Sequence, residues 1–292
     1  MTKNILTLAA ERVVVFDGAM GTMLLASGLP AGGTPELWNV EQPAIVEDIH
    51  RQYYAAGSDV VHTNTFGGTA LKLADKGHAE MAEQVNIEAV RIAKKACPEG
   101  RFVAGDIGPT GRMLPPVGNA SVDELEAAFY NQAVALLKGG ADLISIETMF
   151  SLEEALAATR AAKRAGNCLV VAAVTYNKTP NGFFTMMGES VNQCAESFEK
   201  AGADVIASNC TLGSGDMLEL VKDMKTATTK PVLIQPNAGK PIAEDGETTH
   251  YEQTSQEFAH DIKELVGAGA DMVGGCCGTN ADFIAEIIRQ IR

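Results

Sequence analysis

Eight short apolar runs, at residues 13–17, 59–65, 102–107, 142–148, 168–176, 204–210, 231–236 and 271–276, punctuate the chain. Between and after them lie amphipathic segments with apolar positions at helical spacing, at 43–56, 79–96, 121–138, 151–165, 190–200, 214–226, 254–267 and 280–291. Runs that are nearly continuous in apolar residues suit strands covered on both faces, as in a parallel sheet. One phrase recurs at four junctions: Ala56-Gly57-Ser58-Asp59-Val60-Val61, Gly139-Gly140-Ala141-Asp142-Leu143-Ile144, Ala201-Gly202-Ala203-Asp204-Val205-Ile206 and Ala268-Gly269-Ala270-Asp271-Met272-Val273. Each copy reads as helix end, glycine cap and buried strand. Eight such alternations predict an α/β fold, a single eight-stranded parallel α/β (TIM) barrel formed as one domain over residues 1–292. An open doubly wound sheet is the alternative, but no Gly-x-Gly-x-x-Gly follows the first run. The Pro/Gly-rich stretches at 28–35, 105–118 and 177–188 read as loops after strands rather than as linkers.

A barrel of this kind carries its site at the C-terminal ends of its strands. There the sequence turns polar: Asp17 with Gly18, Thr63 to Thr65, Asp106, Glu147 with Thr148, Thr175 with Tyr176, Asn209 with Cys210, Asn237, and Cys276 with Cys277.

Composition narrows the partners. Lys and Arg number 23 against 37 Asp and Glu, a formal charge of −14 that repels nucleic acid and anionic membranes. No run approaches the roughly 18 apolar residues of a membrane span, and residues 1–12 lack the pattern of a secretory signal. The expectation is a cytoplasmic protein whose six cysteines are reduced thiols or metal ligands.

Three of those cysteines sit at predicted strand ends. Cys276 and Cys277 are framed by Gly274, Gly275 and Gly278, and Cys210 lies 66 residues upstream of Cys276. Side chains of adjacent strand residues point to opposite faces, so both thiols reach one point only where the backbone bends. Three thiolates leave one tetrahedral position on Zn²⁺ open, as a catalytic site requires. Such an electron-rich centre makes a poor hydroxide source but a good host for another soft ligand, which points to alkylation of a substrate thiol. Asp17 and Glu147 face the same mouth, either to hold an ammonium group or as an acid–base pair; the competing reading of Asp17 is that it orders its loop. Gly18 and the backbone that follows it offer N–H groups to a carboxylate. Asn237 reads either as a weak oxygen ligand or as a turn residue. Cys97, Cys168 and Cys194 read as packing residues, and most of the five histidines as surface or packing residues.

Taken together, Asp17-Gly18-Ala19-Met20-Gly21-Thr22, Thr63-Asn64-Thr65-Phe66-Gly67, Gly105 to Gly111, Glu147-Thr148, Asn209-Cys210, Pro236 to Pro241 and Gly274 to Thr279 resemble the homocysteine S-methyltransferase family, above all the homocysteine-binding barrel of cobalamin-dependent methionine synthases. The resemblance runs nearly end to end. It implies zinc on Cys210, Cys276 and Cys277, homocysteine sulfur as the fourth ligand, its amino group near Asp17 and Glu147, and methionine as product. This sequence carries neither a second barrel for folate nor an Asp-x-His-x-x-Gly motif for cobalt. The expected methyl donor is therefore a separate methylated corrinoid (methylcobalamin) protein, to either a stand-alone enzyme or an excised module. The alternatives are betaine or S-methylmethionine as donor, with Trp38 in a loop near the mouth read either as a candidate contact or, in preference, as a packing anchor, or a zinc- and thiol-binding protein without turnover.

Overall fold

The computed structural model describes residues 4–244 and 248–292. Eight parallel strands, β1 (Val14–Val15), β2 (Val60–His62), β3 (Phe102–Ile107), β4 (Leu143–Met149), β5 (Leu169–Val174), β6 (Val205–Gly213), β7 (Val232–Asn237) and β8 (Met272–Val273), are hydrogen-bonded in one continuous order, β2 through β8 and then β1. A parallel bridge between Phe16 and Val60, with the Asp59 N–H donated to the Val15 carbonyl at 2.6 Å, closes β1 onto β2. The ring of helices is α1 (Pro43–Ala56), α2 (Ala82–Ala96), α3 (Val122–Gly139), α4 (Leu152–Ala165), α5 (Val191–Ala201), α6 (Met217–Ala227), α7 (Ser255–Gly267) and α8 (Ala281–Ile291). The predicted α/β barrel is thus the fold observed. At the first recurring phrase Gly57 takes a φ of 111° and ends α1, a left-handed turn that a side chain would strain.

Period-two alternation along the strands separates two hydrophobic clusters. Val14, Phe16, Val60, Phe102, Ala104, Leu143, Val171, Ala173, Val205, Ala207, Leu233 and Met272 fill the lumen, whereas Val15, Val61, Val103, Ile144, Val170, Ile206, Val232 and Val273 pack outward under the helices. A helix absent from the sequence reading, Ile5–Glu11, plugs the N-terminal end of the lumen with Ile5 and Leu8 and is held by a capping box on Asn4. Beside it the fully buried Asp59 accepts hydrogen bonds from the Val15 N–H at 3.0 Å and from Arg12 at 2.7 Å, and it also pairs with Arg101 and Arg292. Both ends of the chain are thereby fastened to the face opposite the predicted site.

The C-terminal face carries additions that the sequence reading did not place as strands. Residues 177–188, read as a loop, contain an antiparallel hairpin (Asn177–Thr179 with Gly182–Phe184), and a second hairpin joins Pro241–Glu244 to Thr248–Tyr251. Such short strands escape detection because an alternation over three or four residues is not a signal. Trp38 opens a short helix, Trp38–Glu41, and packs against the outer core, as an anchor rather than a loop residue at the mouth.

Candidate metal and substrate site

Extending the lumen phase by two or four residues toward the C-terminal end turns it from apolar to polar. Val60 leads to His62, Ala104 to Asp106, Leu143 to Ser145 and Glu147, Ala207 to Asn209, Leu233 to Gln235 and Asn237, and Met272 to Gly274 and Cys276. The site is this polar tier, capped by the cysteines.

Cys210 departs from the regular strand. Pairing of β6 with β7 runs through Asn209↔Gln235 and then jumps to Gly213↔Asn237, and Cys210 and Thr211 hold φ of 58° and 60°. Two successive non-glycine residues in the left-handed region cost about 1–2 kcal/mol each, strain of the kind that a functional position retains. Its result is that the Cys210 sulfur reaches the Cys277 sulfur at 3.9 Å. Cys276 and Cys277 lie in a turn after β8 rather than at the end of a long strand. The Cys276 N–H donates to the Pro236 carbonyl at 2.7 Å, the Ala238 N–H donates to the Cys277 carbonyl at 3.0 Å, and Thr279 Oγ1 donates to the Cys276 carbonyl at 2.7 Å. That hydroxyl also accepts the Ala19 N–H at 3.1 Å, and Thr22 Oγ1 accepts the Gly278 N–H at 3.2 Å. Gly18 is needed for this closeness, since a Cβ there would stand 2.6 Å from Thr279 Oγ1.

The Cys276 and Cys277 sulfurs are 4.0 Å apart, and all three sulfurs lie within 4.8 Å of one another. Sulfurs at about 2.3 Å from a tetrahedral zinc stand about 3.8 Å from each other, so the triangle fits that ion with little adjustment. Two further features suit a soft cation. Hydrogen bonds from Cys210, Cys276 and Tyr251 pull the Cys277 thiol down to about 3, while hydrogen bonding with its two neighbours pushes Cys276 up and Cys210 is raised to about 12, so the cluster without metal favours a single thiolate, on Cys277. Asn237, expected as a turn residue or an oxygen ligand, ends β7 with its Oδ1 buried and without a hydrogen-bond partner among the described residues. Cys194 is buried in the outer core, with Cys97 and Cys168 packed against it, as expected of packing residues.

Below the sulfurs lies a charged floor. Asp17 is buried; its Oδ2 accepts the His62 backbone N–H at 2.9 Å and its Oδ1 meets His62 Nδ1 at 2.8 Å. The other ring nitrogen of His62 meets Ser145 Oγ at 3.0 Å. Burial opposes a charge on His62, but the charge and hydrogen bond of Asp17 win and lift its pKa to about 9. Asp17 thus holds His62 toward its protonated form inside the barrel, where most histidines were expected to be surface or packing residues. The missed signal was its place two residues beyond Val60, in the lumen phase at a strand end. Glu147 is partly exposed at the mouth, accepts from Asn209 Nδ2 at 3.2 Å, and is raised to about 7, chiefly by burial and secondarily by the charges of Asp17 and Cys277. Asn209 also donates to Cys276 Sγ at 3.8 Å and to Thr148 Oγ1 at 2.7 Å, tying the carboxylate to the sulfur cluster.

The His62–Asp17 pair has a consequence for stability. A histidine whose folded pKa exceeds the unfolded value near 6.5 contributes fully below that value, and the contribution is lost as pH rises through about 9. The full swing is on the order of 3 kcal/mol. In thermal unfolding of the reduced, metal-free protein, Tm should fall between pH 7 and 9.5, and His62→Gln should flatten that fall. Parallel curves for the two proteins would refute the pairing.

Beside this tier a cavity of 440 Å³ opens between the loops that follow β2 to β5, lined by Phe66, Met113, Phe150, Met186 and Met187 among others. These five side chains are exposed, and Val117 on the same loops extends the apolar rim.

Residues 14–291 match the family model described as homocysteine S-methyltransferase. The methionine synthases of Mycobacterium tuberculosis (33% identical) and Mycobacterium leprae (32% identical) align with 99% of this chain, which spans 25% of the length of each. The crystal structure of the homocysteine methyltransferase MmuM from Escherichia coli in its oxidized form superposes with a TM-score of 0.80 at 22% identity, over 99% of this chain and 100% of that one. Its metallated form gives 0.78 over 97% and 98%. Among the described residues no helix is long and apolar enough to cross a membrane.

Proposed function

The chain belongs to the homocysteine S-methyltransferase family, and on that premise we propose that it transfers a methyl group from a methylated corrinoid protein to the thiol of L-homocysteine, with zinc held by Cys210, Cys276 and Cys277. The observation that carries the zinc assignment is the sulfur triangle, with spacings of 3.9 and 4.0 Å. When bound, zinc supplies a soft Lewis acid that lowers the substrate thiol's pKa and leaves its sulfur nucleophilic near neutral pH.

The chain's own residues supply the rest. Asp17 and Glu147 place negative charge where the substrate's ammonium enters, and Gly18 leaves room for the backbone after it to meet the carboxylate. Asn209 holds Glu147 and Cys276 in a fixed relation, so that the amino acid end and the sulfur end of one small substrate are positioned together. In the transfer a sulfur–carbon bond forms as the carbon–cobalt bond breaks, both electrons of the latter stay on cobalt, and the thiol proton leaves. The apolar rim of Phe66, Met113, Val117, Phe150, Met186 and Met187 supports a donor carried on a protein, since exposed apolar clusters of this kind favour a protein partner over a small charged donor. Trp38, half-buried against the outer core, gives no support to a quaternary ammonium donor. A reducing cytoplasm is the setting that keeps three such thiols available.

The test is methionine formation by the reduced, zinc-loaded protein from L-homocysteine, with methylcobalamin, betaine and S-methylmethionine supplied separately. Product is expected from methylcobalamin. Product from betaine or S-methylmethionine alone would move the donor, and homocysteine binding without product from any of them would move the protein to a binding role.

A further inference from the structure

The second hairpin on the C-terminal face stands against the sulfur cluster. Its base pairs Pro241 with Tyr251, so the tyrosine lies next to the barrel rather than at the hairpin's tip. Contacts from three strand ends fix that base. The Gln253 N–H donates to the Ala238 carbonyl at 3.1 Å, just past β7, and the Ala238 N–H in turn donates to the Cys277 carbonyl, past β8. Gln253 Nε2 donates to Asp261 Oδ2 at 2.8 Å, and Ser214 Oγ, just past β6, meets that same carboxylate oxygen at 2.6 Å.

The tyrosine is seated on a glycine. A Cβ at Gly278 would stand 2.7 Å from Tyr251 Cβ and closer still to the ring, so the bare backbone there lets the side chain lie against the turn that carries Cys277. From this seat the Tyr251 hydroxyl hydrogen-bonds the Cys277 sulfur. A phenol titrates at about pH 10, so near neutrality the hydroxyl donates and the sulfur accepts. Cys276 takes a long hydrogen bond of 3.8 Å from the neutral amide of Asn209.

A donor on a thiolate changes what that thiolate gives to a metal. Three thiolates on Zn²⁺ carry a net charge of about −1, which makes the ion a weak Lewis acid. A hydrogen bond that draws charge from one sulfur offsets part of that weakness, and it also holds the sulfur in place as a ligand. We propose that Tyr251 is a positioning residue for the metal-held thiols: its hydroxyl donates to the Cys277 sulfur, secures it as a ligand and leaves the ion more acidic toward the substrate thiol. This rests on the reading of the three cysteines as a zinc site for homocysteine, and deepens it.

The test uses Tyr251→Phe, which keeps the ring on Gly278 and removes only the hydroxyl. With Co²⁺ loaded in place of zinc, the sulfur-to-metal charge-transfer band of the reduced protein should move to lower energy in the variant, because a sulfur relieved of a hydrogen bond gives up its electrons more readily. Competition with a chelator should show zinc held roughly ten- to a hundredfold less tightly, the usual cost of losing an outer partner of a ligand, and L-homocysteine should bind the zinc-saturated variant about tenfold more weakly. A band that stays in place would overturn the proposal, even with weaker metal binding, since a merely structural tyrosine would leave the sulfur's electrons untouched. Failure of the unaltered protein to take up Co²⁺ or zinc would overturn it together with the metal reading. A shifted band in a protein that binds no homocysteine would uphold the Tyr251 bond and overturn the homocysteine reading alone.

Discussion

Cys277→Ala should release zinc and end methyl transfer. Cys277 is the common neighbour in the cluster, 3.9 Å from the Cys210 sulfur and 4.0 Å from the Cys276 sulfur, and it is the thiol most strongly held in its anionic form. Without it two thiols remain, one short of the three that a tetrahedral site open to substrate uses. Outer partners of metal ligands typically cost 10- to 100-fold in affinity or activity when removed, so loss of a ligand should exceed about a hundredfold in both. The measurement pairs zinc content after dialysis with methionine formation. Full activity in the zinc-depleted variant would refute the metal assignment. The fold should persist, because the turn is held by backbone contacts to Pro236 and Ala238 that do not use the Cys277 side chain.

The second large effect comes from a residue without a side chain. In Gly275→Ala the new Cβ would land on Thr279, 2.8 Å from its Cβ and closer still to its hydroxyl. That hydroxyl accepts from Ala19 and donates to Cys276, so it cannot step aside without opening the contact between the first and last strand ends. The clash is with a short, packed side chain rather than a flexible tip, and overpacking of this kind costs about 1–3 kcal/mol. Denaturant unfolding should show that loss, and zinc affinity should fall with it because Cys276 follows directly. A second substitution, Thr279→Ala, removes the obstructing hydroxyl and should restore part of the stability but not the hydrogen bonds. Unchanged stability and unchanged zinc affinity in Gly275→Ala would show that the turn can yield.

The alternation of apolar runs and amphipathic segments placed all eight strands and all eight outer helices because each signal is local: a helix announces its cap and period within about a dozen residues. α1 was bounded to the residue, and α3, α4, α5, α7 and α8 to within one. The three cysteines were legible for the same reason, as a rare local phrase and a polar strand end. What escaped depends on partners distant in the chain. His62 is surrounded in sequence by Val60, Val61 and Thr63, and nothing there discloses that Asp17, 45 residues earlier, would fix its charge. Asp106 was visible as a strand-end residue, but its Oδ1, buried without a hydrogen-bond partner among the described residues, is so only once β4 and β2 stand beside it. Cys210 was expected at the end of β6 and instead sits at an irregularity inside it, where its left-handed backbone brings its sulfur to that of Cys277, two strands away. The hairpins on the C-terminal face and the plug helix are short, and their stability comes from what they cover rather than from their own pattern.

The thiol cluster is completed by the turn after β8, which the opposite extreme of the chain braces: Ala19 meets Thr279 across 260 positions, and Thr22 meets Gly278 across 256. During synthesis, therefore, no nascent polypeptide lacking the segment after β8 contains a thiol triad, however well its earlier strands have paired. Capture of the ion therefore awaits synthesis of the turn after β8. A ribosome-stalled fragment ending before Gly274 would be expected to bind no zinc at this site, and one extending past α8 to take it up.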